Sequence, residues 1–274
     1  GDIEEDNAYA VLDGAALREF YTSANPAELE DVEATGAAAA KAATLPLEGM
    51  APLLPSVEAG FHSILDKFVL HTHSLYANLA ACSETGKNAF AEAMEGAPYG
   101  WAVVPYVDPG ARLTFTILET LRKGELEQGK PISLLLMENH GIIAHAATLA
   151  ETDRIHEDAN ERLARHYNVS KADFPPIAIP PQGEENRFLS DTPYLQERLK
   201  GGGYDLAFFT AESLYPDQMV FLGGNLALAQ SPEEASASPS PCCIDISTGL
   251  CHYHSPASQA PAVQQRLIFV RTFF

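Results

Sequence analysis

Two histidines one residue apart close an apolar run in Lys67-Phe-Val-Leu-His-Thr-His-Ser-Leu-Tyr76. Phe68, Val69 and Leu70 have the pattern of a buried strand. Alternation along a strand puts His71 and His73 on one face and Thr72 on the other. Two neutral imidazoles so placed can hold one cation, zinc or a neighbouring transition metal. The same spacing also arises when one histidine packs at a strand end and the other faces water. The pair alone does not separate these readings. Another group of ligand-type side chains, Cys242, Cys243, Cys251, His252 and His254, lies near the end of the chain. Its cysteines are adjacent and lack Cys-x-x-Cys spacing, which speaks against a metal site there.

The elements around the histidine pair can be read from caps and periodicity. A short strand near Tyr9–Leu12 leads into an Ala-rich helical region with a stripe of Leu17, Phe20 and Tyr21. Gly36 to Thr44 reads as a helix or an exposed connection, and Leu45 to Pro55 as a loop. Ser56 to Leu65 reads as a helix with Ser56 as N-cap and Glu58 in its first turn, where a carboxylate complements the helix dipole. The strand carrying His71 and His73 follows, then a helix from Leu75 to Cys82. A strand from Trp101 runs into a Pro-Gly turn at 109–110. Next comes a helix with Leu113, Ile117 and Leu121 four apart, ending near Gly124 and Gly129. Ile132 to Met137 is a second apolar strand, with Glu138-Asn-His-Gly141 at its end and a further strand from Ile142 to Ala146. Gly141 suits a chain reversal. Thr148-Leu-Ala-Glu151 is a capping box opening a long helix, on which His156 and His166 read as solvated surface.

Composition shifts after Tyr167. Pro175 to Pro181 reads as an extended linker. Beyond it, the pattern gives helices near Tyr194–Leu199 and Leu206–Ser213, a strand at Met219–Leu222 and a polar linker at Ser231–Pro241. Strands at Cys242–Ile246 and Leu250–Tyr253 come next, then a helix and a last strand, Leu267–Val270. The expected division is 1–174 and 175–274, with residues 182–274 forming the body of a smaller α+β lobe. Asn139-His-Gly-Ile-Ile143 and Ser247-Thr-Gly-Leu-Cys251 each follow an apolar run, which suggests that the second lobe is a degenerate partial copy of the first.

With 274 residues, 46% of them hydrophobic, the chain has material for one large domain or two smaller ones. The formal net charge of -20 opposes non-specific nucleic-acid binding and attraction to an anionic membrane surface. It permits an anionic small substrate, because a metal or a helix N-terminus reverses the local field. No apolar span approaches about 18 residues. The first residues are acidic rather than signal-like, and four cysteines make no disulfide framework. A cytoplasmic protein is expected.

Taken in order, Pro-Ser-x-Glu at 55–58, His-Thr-His at 71–73, Pro-Tyr-x-x-x-Gly at 105–110 and Glu-Asn-His-Gly at 138–141 resemble the class II aldolase/adducin family. The resemblance runs from about Ile3 to Tyr167. It looks closest to bacterial members in which the homologous domain is followed by extra sequence. The family includes zinc-dependent fuculose-phosphate and rhamnulose-phosphate aldolases, ribulose-phosphate 4-epimerase and the non-catalytic adducins. The resemblance implies an α/β fold, a three-layer α/β/α sandwich around a mainly antiparallel sheet. It implies His71, His73 and His140 as ligands of zinc or of manganese, cobalt or iron. It further implies Glu58 as acid/base, Ser56 as a substrate-binding residue and Tyr106 as proton donor to an aldehyde fragment. The reaction implied is retro-aldol cleavage of a ketose or ketose 1-phosphate, with sugar-phosphate 4-epimerisation or adducin-like association as alternatives, in a homo-oligomer.

The chain also departs from the aldolases. Their Gly-Asn-x-Ser loop and following Gly-Ser or Ser-Gly turn, which bind phosphate, are missing, and Val57 replaces a common second serine. The expectation is therefore either a missing N-terminal stretch or a different phosphate site.

Overall fold

The computed structural model describes residues 9–48, 53–169, 178–181, 186–201, 203–210, 215–222, 226–254 and 263. The chain forms two compact units, Gly1–Asn168 and Val169–Phe274.

In the first unit β1 (Val11–Leu12) pairs antiparallel with β2 (Thr44–Leu45), and α1 (Gly14–Ser23) and α2 (Val32–Ala42) lie between them. Asp13 and Asp31 cap these helices by accepting backbone N–H bonds in the first turn. α3 (Ala59–Ile64) leads into β3 (Phe68–Thr72), and α4 (Leu75–Ala81) and α5 (Gly86–Ala93) lead to β4 (Gly100–Val104). α6 (Ala111–Gln128) ends at Gly129, whose φ of 64° suits a residue without a side chain. β5 (Ile132–Met137), β6 (Gly141–Ala146) and α7 (Leu149–His166) complete the unit.

The sheet order is β3-β6-β5-β4, with β3/β6 and β6/β5 antiparallel and β5/β4 parallel. β6 is buried at every position and β5 at all but one, which explains their near-continuous apolar sequences. One face packs Leu134, Leu136, Ile142 and Ala144 against α4, α5 and α7. The other packs Leu135, Met137 and Ile143 against Phe61 of α3 and Leu113 and Ile117 of α6. The result is helix, sheet, helix, the three-layer α/β/α arrangement expected.

The second unit runs β7 (Arg187–Leu189), α8 (Pro193–Leu199), α9 (Leu206–Thr210), α10 (Pro216–Leu222), β8 (Leu226–Ala229), α11 (Pro232–Ala237), β9 (Cys242–Asp245) and β10 (Leu250–His254). Its sheet order is β7-β10-β9-β8, with β7/β10 and β10/β9 antiparallel and β9/β8 parallel. Strand for strand, this is the order and direction of the first sheet. The registers also coincide. Val104 pairs with Met137 and Met137 with Gly141 in one sheet, as Ala229 pairs with Asp245 and Asp245 with Leu250 in the other.

Several local expectations are corrected. Met219–Leu222 belongs to a helix, because Pro216 and Asp217 supply a helix start and four apolar-rich residues do not distinguish a strand from a buried turn of helix. Within the expected linker at 231–241, Ser231 accepts from the Glu234 N–H and Glu234 accepts from the Gln230 N–H, so a capping pair opens α11. Of the two readings for the stretch from Gly36, the helix holds, as the C-terminal part of α2; Gly124 lies inside α6, which ends at Gly129, and α5 has no counterpart in the expectations. The helix expected from Ser56 starts at Ala59. Residues 175–177 of the expected extended linker, and the tail helix and strand, fall outside the described residues, except that Val263 is buried.

Candidate metal centre

β3 carries His71 to the end of the sheet, and His73 follows one residue beyond it. His140 lies in the tight turn between β5 and β6, and Glu58 stands at the entry to α3. One ligand-type atom from each of Glu58, His71, His73 and His140 lies within 4.8 Å of the others. The imidazole centroids are 5.0 Å apart for His71 and His140 and 5.1 Å for each of the two pairs that include His73.

Local packing brings them there. At the turn, Asn139 takes a φ of 50°, its N–H donates to Ala81 O at 2.9 Å, and the His140 N–H donates to Met137 O at 3.2 Å. A Cβ at Gly141 would sit 2.5 Å from Thr72 O, 3.0 Å from the His73 ring and 3.3 Å from the His71 ring. Only glycine lets the hairpin approach both histidines this closely.

Hydrogen bonds set the state of the nitrogens. His71 Nδ1 is 3.0 Å from Ile142 O, which can only accept, so Nδ1 carries the proton and Nε2 keeps its lone pair. That Nε2 is buried without a hydrogen-bond partner, 3.6 Å from Glu58 Oε1. His140 Nε2 lies 3.0 Å from the same oxygen. Burial pushes the Glu58 carboxyl up, but its contacts with the histidines, the hydrogen bond with His140 first among them, outweigh it and hold the group well below the usual carboxylate range. Three imidazoles, one half-buried carboxylate and a bare lone pair form a donor set suited to zinc or a similar divalent metal. The residues fit such an ion.

Behind this group, Thr72 points to the opposite face, as strand alternation requires. Its Oγ1 is 2.7 Å from His156 Nε2. Ser74 Oγ donates to Asn160 Oδ1, and Asn160 Nδ2 donates to His156 O at 2.9 Å. α7 thus holds the 72–74 segment through two polar side chains. His156 is only 8% exposed, which corrects its reading as solvated surface. It shares a buried stripe with Thr152, Ile155, Ala159, Asn160 and Leu163, a helical spacing visible in the sequence. His166 is exposed.

Ser56 and Tyr106 stand differently. Ser56 is exposed, and its Oγ accepts from the Glu58 N–H at 3.2 Å, in a turn ahead of α3 rather than as the cap of a longer helix. Tyr106 is 53% exposed and donates its hydroxyl proton to Asp108 Oδ1 at 2.8 Å, which raises its pKa. Its backbone N–H donates to Glu138 Oε2 at 3.2 Å, and Glu138 pairs with Lys87 at 3.1 Å. The tyrosine loop is thereby tied to the His140 turn, while its hydroxyl is held by Asp108. Among the described residues, Cys242, Cys243, Cys251, His252 and His254 form no metal-binding group.

Residues 16–166, just over half of the chain, match the Class II Aldolase and Adducin N-terminal domain. The chain belongs to the class II aldolase/adducin family. No curated protein matches it. A similar solved structure is the N-terminal class II aldolase domain of a conserved protein from Thermoplasma acidophilum, 18% identical, with a TM-score of 0.45. The match covers 58% of this chain and 66% of that one, just under two thirds.

Proposed function

We propose that the chain is a metal-dependent aldolase-type lyase that opens a carbon–carbon bond of a ketose or ketose 1-phosphate by retro-aldol chemistry. The observation that carries this reading is the convergence of His71, His73, His140 and Glu58 on one point. A bound zinc-like ion, held by the three imidazoles, would polarise the substrate carbonyl and offset the negative charge that develops as the bond opens. Glu58, kept ionised by its histidine neighbours, would carry a proton to and from the carbon beside that carbonyl. Tyr106 would serve the oxygen of the aldehyde fragment. Its exposed ring, with the hydroxyl held by Asp108 on its own loop, favours action across a contact between copies, so a homo-oligomer is part of the reading. A cytoplasmic setting is also part of it, in keeping with cysteines in the thiol form. Among the described residues, no helix is long and apolar enough to cross a membrane.

The second unit, in this reading, is a copy of the first that carries no metal. His71 pairs with Ile143, the third residue of β6, and Leu189 pairs with His252, the third residue of β10. Leu189 then occupies the place of His71, Asp191 that of His73, and Gly249, just before β10, that of His140.

Glu58→Gln tests the assignment. Metal content should stay unchanged while aldehyde release from a panel of ketoses and their 1-phosphates falls by roughly 10²–10⁴-fold. Undiminished turnover would reduce Glu58 to a helix-entry carboxylate. Metal uptake without cleavage of any sugar, but with interconversion of sugar-phosphate epimers, would favour the epimerase. A metal-free protein inert toward all of them would favour adducin-like association.

A further inference from the structure

Beside the candidate metal centre lies a cavity of about 330 Å³ walled by Leu12, Leu17 and Ala59, with Ser56 and His62 as polar members. It adjoins the centre at the entry to α3, since its lining residues Ser56 and Ala59 lie two residues before and one residue after Glu58. We propose that this cavity receives the end of the substrate remote from the reacting carbonyl, and that this end is uncharged and aliphatic rather than a phosphate. The inference rests on the lyase reading above and narrows its substrate class.

A phosphate needs a cation or several convergent N–H groups. Among the described residues, no lysine or arginine lines the cavity. Arg18, on the same helix as Leu17, directs its guanidinium Nε and Nη2 to the carbonyls of Ser63 and Leu65. The amides nearest Ser56 are also taken, with Glu58 N–H donating to Ser56 Oγ and Ala59 N–H to Ser56 O at 3.1 Å. The Ser63 hydroxyl donates to Gly60 O at 2.6 Å. Burial lowers the pKa of His62, against the opposing pull of Glu58, and favours its neutral form.

Hydroxamates provide the test, because their two oxygens chelate a metal while the tail is varied. In zinc-loaded protein, calorimetric affinity should rise by about threefold per methylene from acetohydroxamate to pentanohydroxamate. Phosphoglycolohydroxamate should bind more weakly than pentanohydroxamate. Gly14 lines the cavity at a position where an added Cβ meets nothing within 4 Å. Gly14→Phe should therefore cancel the gain of the longer tail and leave acetohydroxamate binding unchanged. A flat series, tighter binding of the phosphorylated probe, or a gain that survives in Gly14→Phe would overturn the inference while leaving the metal centre standing. Failure to take up zinc, measured before any hydroxamate is added, would overturn the metal reading and the inference with it.

Discussion

His71 presents a bare Nε2 because its other nitrogen is committed to a backbone carbonyl, and the strand between His71 and His73 is committed in turn to α7. Thr72 bonds His156, and Ser74 bonds Asn160. His156 is thus a positioning residue for the two proposed ligands that flank Thr72. Losing such support behind a metal ligand weakens binding by about 10–100-fold. His156→Leu should raise the dissociation constant of zinc by that factor in competition with a chelator, and His156→Gln, which keeps a polar tip, should recover part of it. Equal affinity in wild type and His156→Leu would make the contact packing alone. The His71/His73 face was legible because a strand has a period of two. His140 was legible only through the family's Asn-His-Gly turn, since nothing local reveals which turn the fold folds back toward β3. His156 was misread because a polar residue among charges looks solvated until the phase of the whole helix is followed.

At the level of elements, the hairpin of β5 and β6 organises the first unit. It forms the sheet centre and delivers His140 at its turn. On β6, His145 faces the same side as Ile143 and is 5% exposed, with Nδ1 3.0 Å from Asp66 Oδ2. Burial lowers its pKa, outweighing the opposing pull of Asp66 and Glu125. Burial also lowers the pKa of His156, in whose case Glu157 opposes the shift. The folded state therefore resists a proton that the unfolded chain accepts below its pKa of about 6.5. Above that value neither state is protonated and nothing is lost; as pH falls below it, stability declines toward the lower folded pKa, by at most about 1.4 kcal/mol per pH unit for each such histidine. Urea midpoints of chelator-treated protein should accordingly be lower at pH 5.5 than at pH 7.5, with a smaller drop in His145→Gln. A midpoint that rises on acidification would contradict this. Long elements such as α6 and α7 were readable from caps and period. α10 and α11 were not, because they span under two turns and their starts depend on proline and serine capping that a short apolar or polar window conceals.

Across the whole molecule, the family match covers the first unit, while the second repeats its strand order, directions and register without the histidines. The sequence hinted at this only in one Thr-Gly turn after an apolar run, since topology is held by pairing that many side chains satisfy. The account therefore expects a single metal per chain, bound in the first unit. Metal analysis of the purified, dialysed protein is the most direct test, made on wild type and on His71→Ala, His73→Ala and His140→Ala variants shown to be folded by circular dichroism. The account predicts one equivalent of a zinc-like metal in wild type and its loss from each variant; full occupancy in His140→Ala, two equivalents per chain, or none in wild type would contradict it.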